Sequence, residues 1–153
     1  MSINEEVELL RRIPLFAKIE PAKLKLLAFT SQRITYKPGD TVFHQGDPGD
    51  AAYVIFGGEA DVLVDTPSGP LTVARLKQND FVGEIAILCD VPRTATVKAV
   101  SELVTLRITK DLFFRLITDF PQIAIEIMRV LAQRLERTTA DLRSATAKQN
   151  GKT

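Results

Sequence analysis

The stretch Phe81-Val82-Gly83-Glu84-Ile85-Ala86-Ile87-Leu88-Cys89-Asp90-Val91-Pro92-Arg93-Thr94-Ala95-Thr96-Val97 puts a glycine-led helical turn, a carboxylate and an arginine into one short segment. Gly83 allows the backbone close to a ligand, and Ile85 to Leu88 read as one or two helical turns whose first N–H groups are unsatisfied. Such an end attracts anions. Arg93 presents a planar fork of donors matched to phosphate oxygens, Pro92 fixes a backbone angle before it, and Thr94 adds a hydroxyl. Glu84 would repel a phosphate, so its use here is as an acceptor for a sugar hydroxyl. The plainer reading stays open: Glu84 and Arg93 pair with each other, and Gly83 is a turn residue.

As an ordered string, these residues resemble the phosphate-binding cassette of the cyclic nucleotide-binding domain family, F-G-E-(I/L)-A-L-L-x-x-x-P-R-(T/S/A)-A. The departures are Val82, where an aromatic is more usual, and Asn79, at a turn where glycine is common. Asn tolerates positive φ, so the turn is expected to be kept. The resemblance extends to Lys37-Pro38-Gly39-Asp40 and to the string from Gly46-Asp47-Pro48-Gly49-Asp50 to Ile55. It implies a mainly β fold with flanking helices: an antiparallel β-roll or jelly-roll barrel with N-terminal helices, a short phosphate-binding helix and two C-terminal helices. It implies a cassette of Val82, Gly83, Glu84, Ile85, Ala86, Pro92, Arg93, Thr94 and Ala95.

Independently of the resemblance, residues 31–108 carry short runs rich in Val, Ile, Thr and aromatics between turn signals, which is the texture of antiparallel strands. Gly57-Gly58, between Tyr53–Phe56 and Glu59–Val64, predicts a hairpin with a type I′ turn. Before this region, apolar spacing predicts short helices over residues 4–30, broken at Pro14 and Pro21; in the family the link Pro14–Ile19 is a short helical piece packed on the sheet. After it, Thr109 is placed to cap a helix from Lys110 to Thr118, and Pro121 opens a longer one. There Ala124, Met128, Leu131, Leu135, Thr138 and Leu142 form a heptad-like seam, widened by Ile123, Ile127 and Val130. That seam fits packing on the barrel or a symmetric homodimer. Residues 1–147 read as one domain, with a small polar tail from Ala145 expected to be frayed and 148–153 flexible.

The 153 residues are 45% hydrophobic with a net charge of +1, enough for one core and too balanced to draw the chain to nucleic acid or membrane. Cys89 is the only cysteine, which excludes an internal disulfide and suits a cytoplasmic setting, with a role as small-residue filling. Met1–Arg12 has no apolar stretch fit for a signal peptide or membrane span. A metal-dependent barrel would need a cluster of imidazoles, whereas His44 is the only histidine and is expected in a strand. No base and nucleophile pair is visible, so an enzyme is not expected, and no metal or cofactor is implied.

In register from Pro121, the last helix resembles the dimer helix of the catabolite activator branch of the family, where Thr138 and Thr139 fall at hydroxyl positions that contact adenine, one from each subunit. Arg134 and Arg137 offer guanidinium stacking on the base as a second option. Cyclic AMP is the expected ligand and cyclic GMP the alternative, because Thr94 can serve either the phosphate or a guanine amino group. The expectation is a cytoplasmic receptor acting on an unknown protein effector, or the sensor domain of a longer transcription regulator or channel, or a barrel that has lost ligand binding.

Overall fold

The structure is a computed structural model and describes residues 2–150. Two helices lead, α1 (Ile3–Arg11) and α2 (Pro21–Thr30). The strands are β1 (Gln32–Tyr36), β2 (Thr41–Phe43), β3 (Ala51–Gly57), β4 (Ala60–Thr66), β5 (Gly69–Leu76), β6 (Phe81–Val82), β7 (Thr96–Ala99) and β8 (Leu103–Thr109). The short α3 (Glu84–Cys89) lies between β6 and β7, and α4 (Lys110–Asp119) and α5 (Pro121–Asn150) complete the chain. The helix starts follow local chemistry. Ser2 Oγ accepts from the Glu5 amide at 3.2 Å, Thr109 Oγ1 accepts from the Leu112 amide at 3.4 Å, and Pro21 sits in the first turn of α2, where no N–H is needed.

The strands form two four-stranded antiparallel sheets, β1-β8-β3-β6 and β2-β7-β4-β5, which are not closed into one barrel. The expected hairpin at Gly57-Gly58 is therefore a crossover: β3 pairs with β8 and β6, while β4 pairs with β5 and β7. Only Gly58 has positive φ, at 86°, so there is no type I′ turn. The cause is tertiary. The turn docks on Ser101–Glu102, with the Glu59 amide donating to Ser101 Oγ at 2.9 Å and the Val100 amide donating to Glu59 O at 3.0 Å, and a Cβ on Gly58 would run into Glu102 O. Asn79 keeps its turn at φ 75°, as the sequence suggests.

Two cores result. One lies between the sheets, built on Ile55, Ala60, Leu76, Val97, Ala99 and Leu103; the other joins the first sheet to the helices through Leu10, Phe16, Leu24, Val54, Leu106, Phe113, Ile123 and Ile127. β3 serves both, which is why Ala51–Phe56 is an unbroken buried run: Ala52, Val54 and Phe56 face the helices while Ile55 faces the other sheet.

Three smaller expectations change. The link after α1 is a run of turns, with Phe16 donating to Ile13 O at 2.9 Å and Ile19 to Phe16 O at 3.1 Å, rather than a helix. His44 lies just past β2, exposed, and not in a strand. The backbone of α5 continues to Asn150, because residues 145–149 are mostly good helix formers; residues 151–153 of the expected tail lie outside the described residues. Among the described residues no helix is long and apolar enough to cross a membrane.

Candidate functional site

β6 delivers the chain to Gly83, whose φ of 96° makes it the N-cap of α3. A Cβ there would lie 2.7 Å from Arg93 Nη1 and 3.1 Å from Ala51 O, so glycine is required by backbone and neighbours alike. Gly49 is required for a different reason, since a Cβ on it would run into the Ala86 side chain. The loop before β3 thus packs directly on α3. Asp90, at φ 51°, ends the helix.

Arg93 is 3% exposed. Its Nη1 donates to Gly83 O at 3.0 Å and its Nη2 to Ala51 O at 2.6 Å, Asp50 lies 3.7 Å away, and the Phe43 ring covers the guanidinium at 4.0 Å. Its backbone is pinned to the loop by reciprocal bonds, Gly46 N to Arg93 O and Arg93 N to Asp47 O, both 2.8 Å. Burial pushes its pKa below the usual value, opposed by Tyr53 and Asp50. Nε is buried with no partner among the described residues. The guanidinium lies against Gly83, the N-cap of α3, so a positive charge and the free amides of the first helical turn meet at one place, an arrangement suited to an anion.

Glu84 does not pair with Arg93, contrary to the plainer reading. It is 2% exposed, and its Oε1 accepts from Arg134 Nη1 at 2.7 Å, while Arg134 Nη2 donates to Phe81 O at 2.9 Å. Burial raises the Glu84 pKa, and Arg134, the helix amide and Arg93 hold it down against that. The guanidinium expected to stack on a base is thus engaged at the carboxylate. The last helix is tied to the cassette by one ion pair across 50 residues of sequence.

These groups share a cleft of about 550 Å3. Of the residues singled out from the sequence, Val82, Gly83, Glu84, Ile85, Ala86, Arg93, Thr94, Ala95, Arg134, Arg137 and Thr138 line it; Pro92 and Thr139 do not. Thr138 Oγ1 donates to Arg134 O at 2.9 Å, and Thr139 is one helical step round. Sequence reasoning missed Phe43, Val62, Val73 and Val97 in the walls and Asp141 on α5. Asp141 was legible in principle, because 134, 138 and 141 fall on one helical face. Cys89 is exposed at the end of α3, which corrects its expected role as filling. Among the described residues no cluster of three or more His, Cys, Asp or Glu is placed to hold a metal.

The sequence pattern of the cyclic nucleotide-binding domain matches residues 33–120, a span that holds both sheets and the cassette. The chain belongs to the cyclic nucleotide-binding domain family. Within it, the chain is 32% identical over 136 residues to the CRP-like cAMP-activated global transcriptional regulator of Mycobacterium tuberculosis, covering 88% of this chain and 61% of the regulator. It is 35% identical over 108 residues to the cAMP-dependent protein kinase regulatory subunit of Aspergillus niger, covering 71% of this chain and 26% of the subunit. The crystal structure of the Thermus thermophilus catabolite activator protein matches with a TM-score of 0.77 and 28% identity, over 87% of this chain and 63% of that one. The chain therefore spans less than two thirds of each of these relatives, all of which are regulators.

Proposed function

We propose that this cyclic nucleotide-binding domain is a sensor, not an enzyme, that takes cyclic AMP in the cleft and converts its occupancy into movement of α5. The observation that carries this is the pairing of Glu84, nine residues before the buried Arg93, with Arg134 in the same cleft. Arg93 and the first amides of α3 take the cyclic phosphate. Glu84 accepts from the ribose hydroxyl, which competes with Arg134 for the same carboxylate. A ligand moves an equilibrium only through its different contacts with the two states, and this competition supplies the difference. Thr138 serves the adenine without adding charge.

Calorimetry and thermal unfolding test this together. At a free concentration about 100 times Kd, cyclic AMP stabilises by about 2.7 kcal/mol, a rise in Tm of about 5–10 °C for a chain of this length. No shift at millimolar nucleotide would sink the reading. Thr138→Ala is expected to cost cyclic AMP more affinity than cyclic GMP. Asp141 favours a second reading, because its carboxylate can accept from the N1–H and amino group of guanine together, with Thr94 beside the phosphate. Cyclic GMP binding tighter than cyclic AMP, lost in Asp141→Ala, would decide for it.

The output of α5 goes to a protein partner or to a further domain. Met128, Leu135 and Leu142 recur every seven residues along α5 at 61%, 68% and 64% exposure, a seam suited to a second copy. Leu135→Glu is then expected to halve the mass measured by light scattering. An unchanged mass in both proteins would remove the dimer from this account.

A further inference from the structure

Behind the Glu84–Arg134 ion pair, away from the nucleotide cleft, lies a second cavity of about 400 Å3. Its walls come from the turn link at Arg12–Leu15, from the turn at Asn79–Phe81 and from α5. Ile13, Leu15, Phe81, Ile127 and Leu131 make it apolar, and its volume lies within the range of small-molecule sites. Its charges are unequal in availability. The Asp80 carboxylate accepts from the Lys77 amide at 2.9 Å, and Glu84 and Arg134 hold each other. Among the described residues the Arg12 guanidinium has no such partner and is exposed at the lip.

We propose that this cavity binds a small amphipathic monoanion, an alkyl or aryl carboxylate whose apolar body lies on Ile127 and Leu131 and whose carboxylate pairs with Arg12. Glu84 is held by Arg134, so the carboxylate left to meet a cation is that of Asp80, already drawn to the Lys77 amide and sharing the cavity walls with Arg12, whose charge repels a cation. A dianion would keep one charge unpaired beside an apolar wall, which is costly. The cavity and the nucleotide cleft share Asp80, Glu84 and Arg134, so their ligands are coupled. An occupant resting on Ile127, Leu131 and Arg134 binds while α5 lies against the link, the arrangement that keeps Arg134 on Glu84. Cyclic nucleotide competes for that carboxylate, so the two ligands oppose each other, and each weakens the other by the same factor. This coupling, unlike the site itself, rests on the function proposed above.

The test is calorimetric titration of the full chain with decanoate below its micelle-forming concentration, beside decanol and decylamine, with and without cyclic AMP. Decanoate is expected to bind one to one, and the neutral and cationic analogues about tenfold more weakly, the loss of one charge-assisted pair. Arg12→Gln is expected to reduce decanoate affinity by a similar factor and leave cyclic AMP affinity unchanged. Val130→Phe, which fills the cavity, is expected to abolish decanoate binding. Decanol binding as tightly as decanoate, or an unaffected Arg12→Gln, would overturn the anion site. So would exclusion of decanoate as protein concentration and mass rise together, which would make a second copy the occupant. Decanoate binding indifferent to bound cyclic AMP would overturn the coupling alone. A chain that takes decanoate as described but no cyclic nucleotide would uphold the cavity and overturn the proposed function.

Discussion

Arg93→Ala is expected to weaken cyclic AMP binding more than thirtyfold in a calorimetric titration, the loss of about 2 kcal/mol or more from a charge-assisted phosphate contact in a water-excluded site. The size follows from how the guanidinium is held. It is 3% exposed, pinned by Gly83 O and Ala51 O and covered by Phe43, so its direction is set before a ligand arrives. Arg93→Lys is expected to recover little of the loss, because an ammonium on a flexible stem cannot serve two carbonyls and a phosphate in one plane. The cost to folding runs the other way in part. Two carbonyls lose a donor, but the burial of a charge that already depresses the Arg93 pKa is also removed. The denaturant midpoint should therefore move less than the affinity does. Unchanged affinity in Arg93→Ala would mean that the phosphate lies elsewhere.

What could be read before folding was the local code. Thr109 and Pro121 mark helix starts, Asn79 accepts a positive φ, and the cassette is contiguous, so its residues arrive together at the start of α3. What could not be read was pairing at a distance. Gly57-Gly58 carries a strong turn signal, yet a turn does not say which strand follows in which sheet; that depended on the close approach of Gly58 to Glu102. In the same way Arg93 was an obvious neighbour for Glu84 by sequence, nine residues away. The structure instead gives Glu84 to Arg134, because α5 packs back through Ile123 and Ile127 and brings its fourth turn over the cassette. The cassette is local in sequence, and the residue proposed to report its occupancy is not.

Arg134→Ala tests that reporter. Removing one partner of a buried pair strands the other, at about 3–5 kcal/mol when both are buried. Arg134 is 41% exposed and its contribution is screened, so a loss of about 2 kcal/mol is expected at pH 7, a fall in Tm of about 4–8 °C. The pH dependence separates charge from packing. Glu84 has a folded pKa raised by burial, so the native chain holds its proton more tightly than the unfolded chain, and the stability this group allows falls as pH rises through that raised value. Without Arg134 the pKa rises further. The variant should therefore approach the parent as pH falls below both values, where Glu84 is neutral in each. Glu84→Gln added to Arg134→Ala is expected to restore most of the lost Tm, because no uncompensated charge is left buried. The same double variant should lose signalling: with no carboxylate to contest, cyclic AMP can no longer change the hold on α5. Hydrogen exchange along α5, altered by cyclic AMP in the parent, is expected to be the same with and without nucleotide in the double variant. If exchange in α5 still responds there, the ion pair is a structural tie and the signal leaves the cleft by another route.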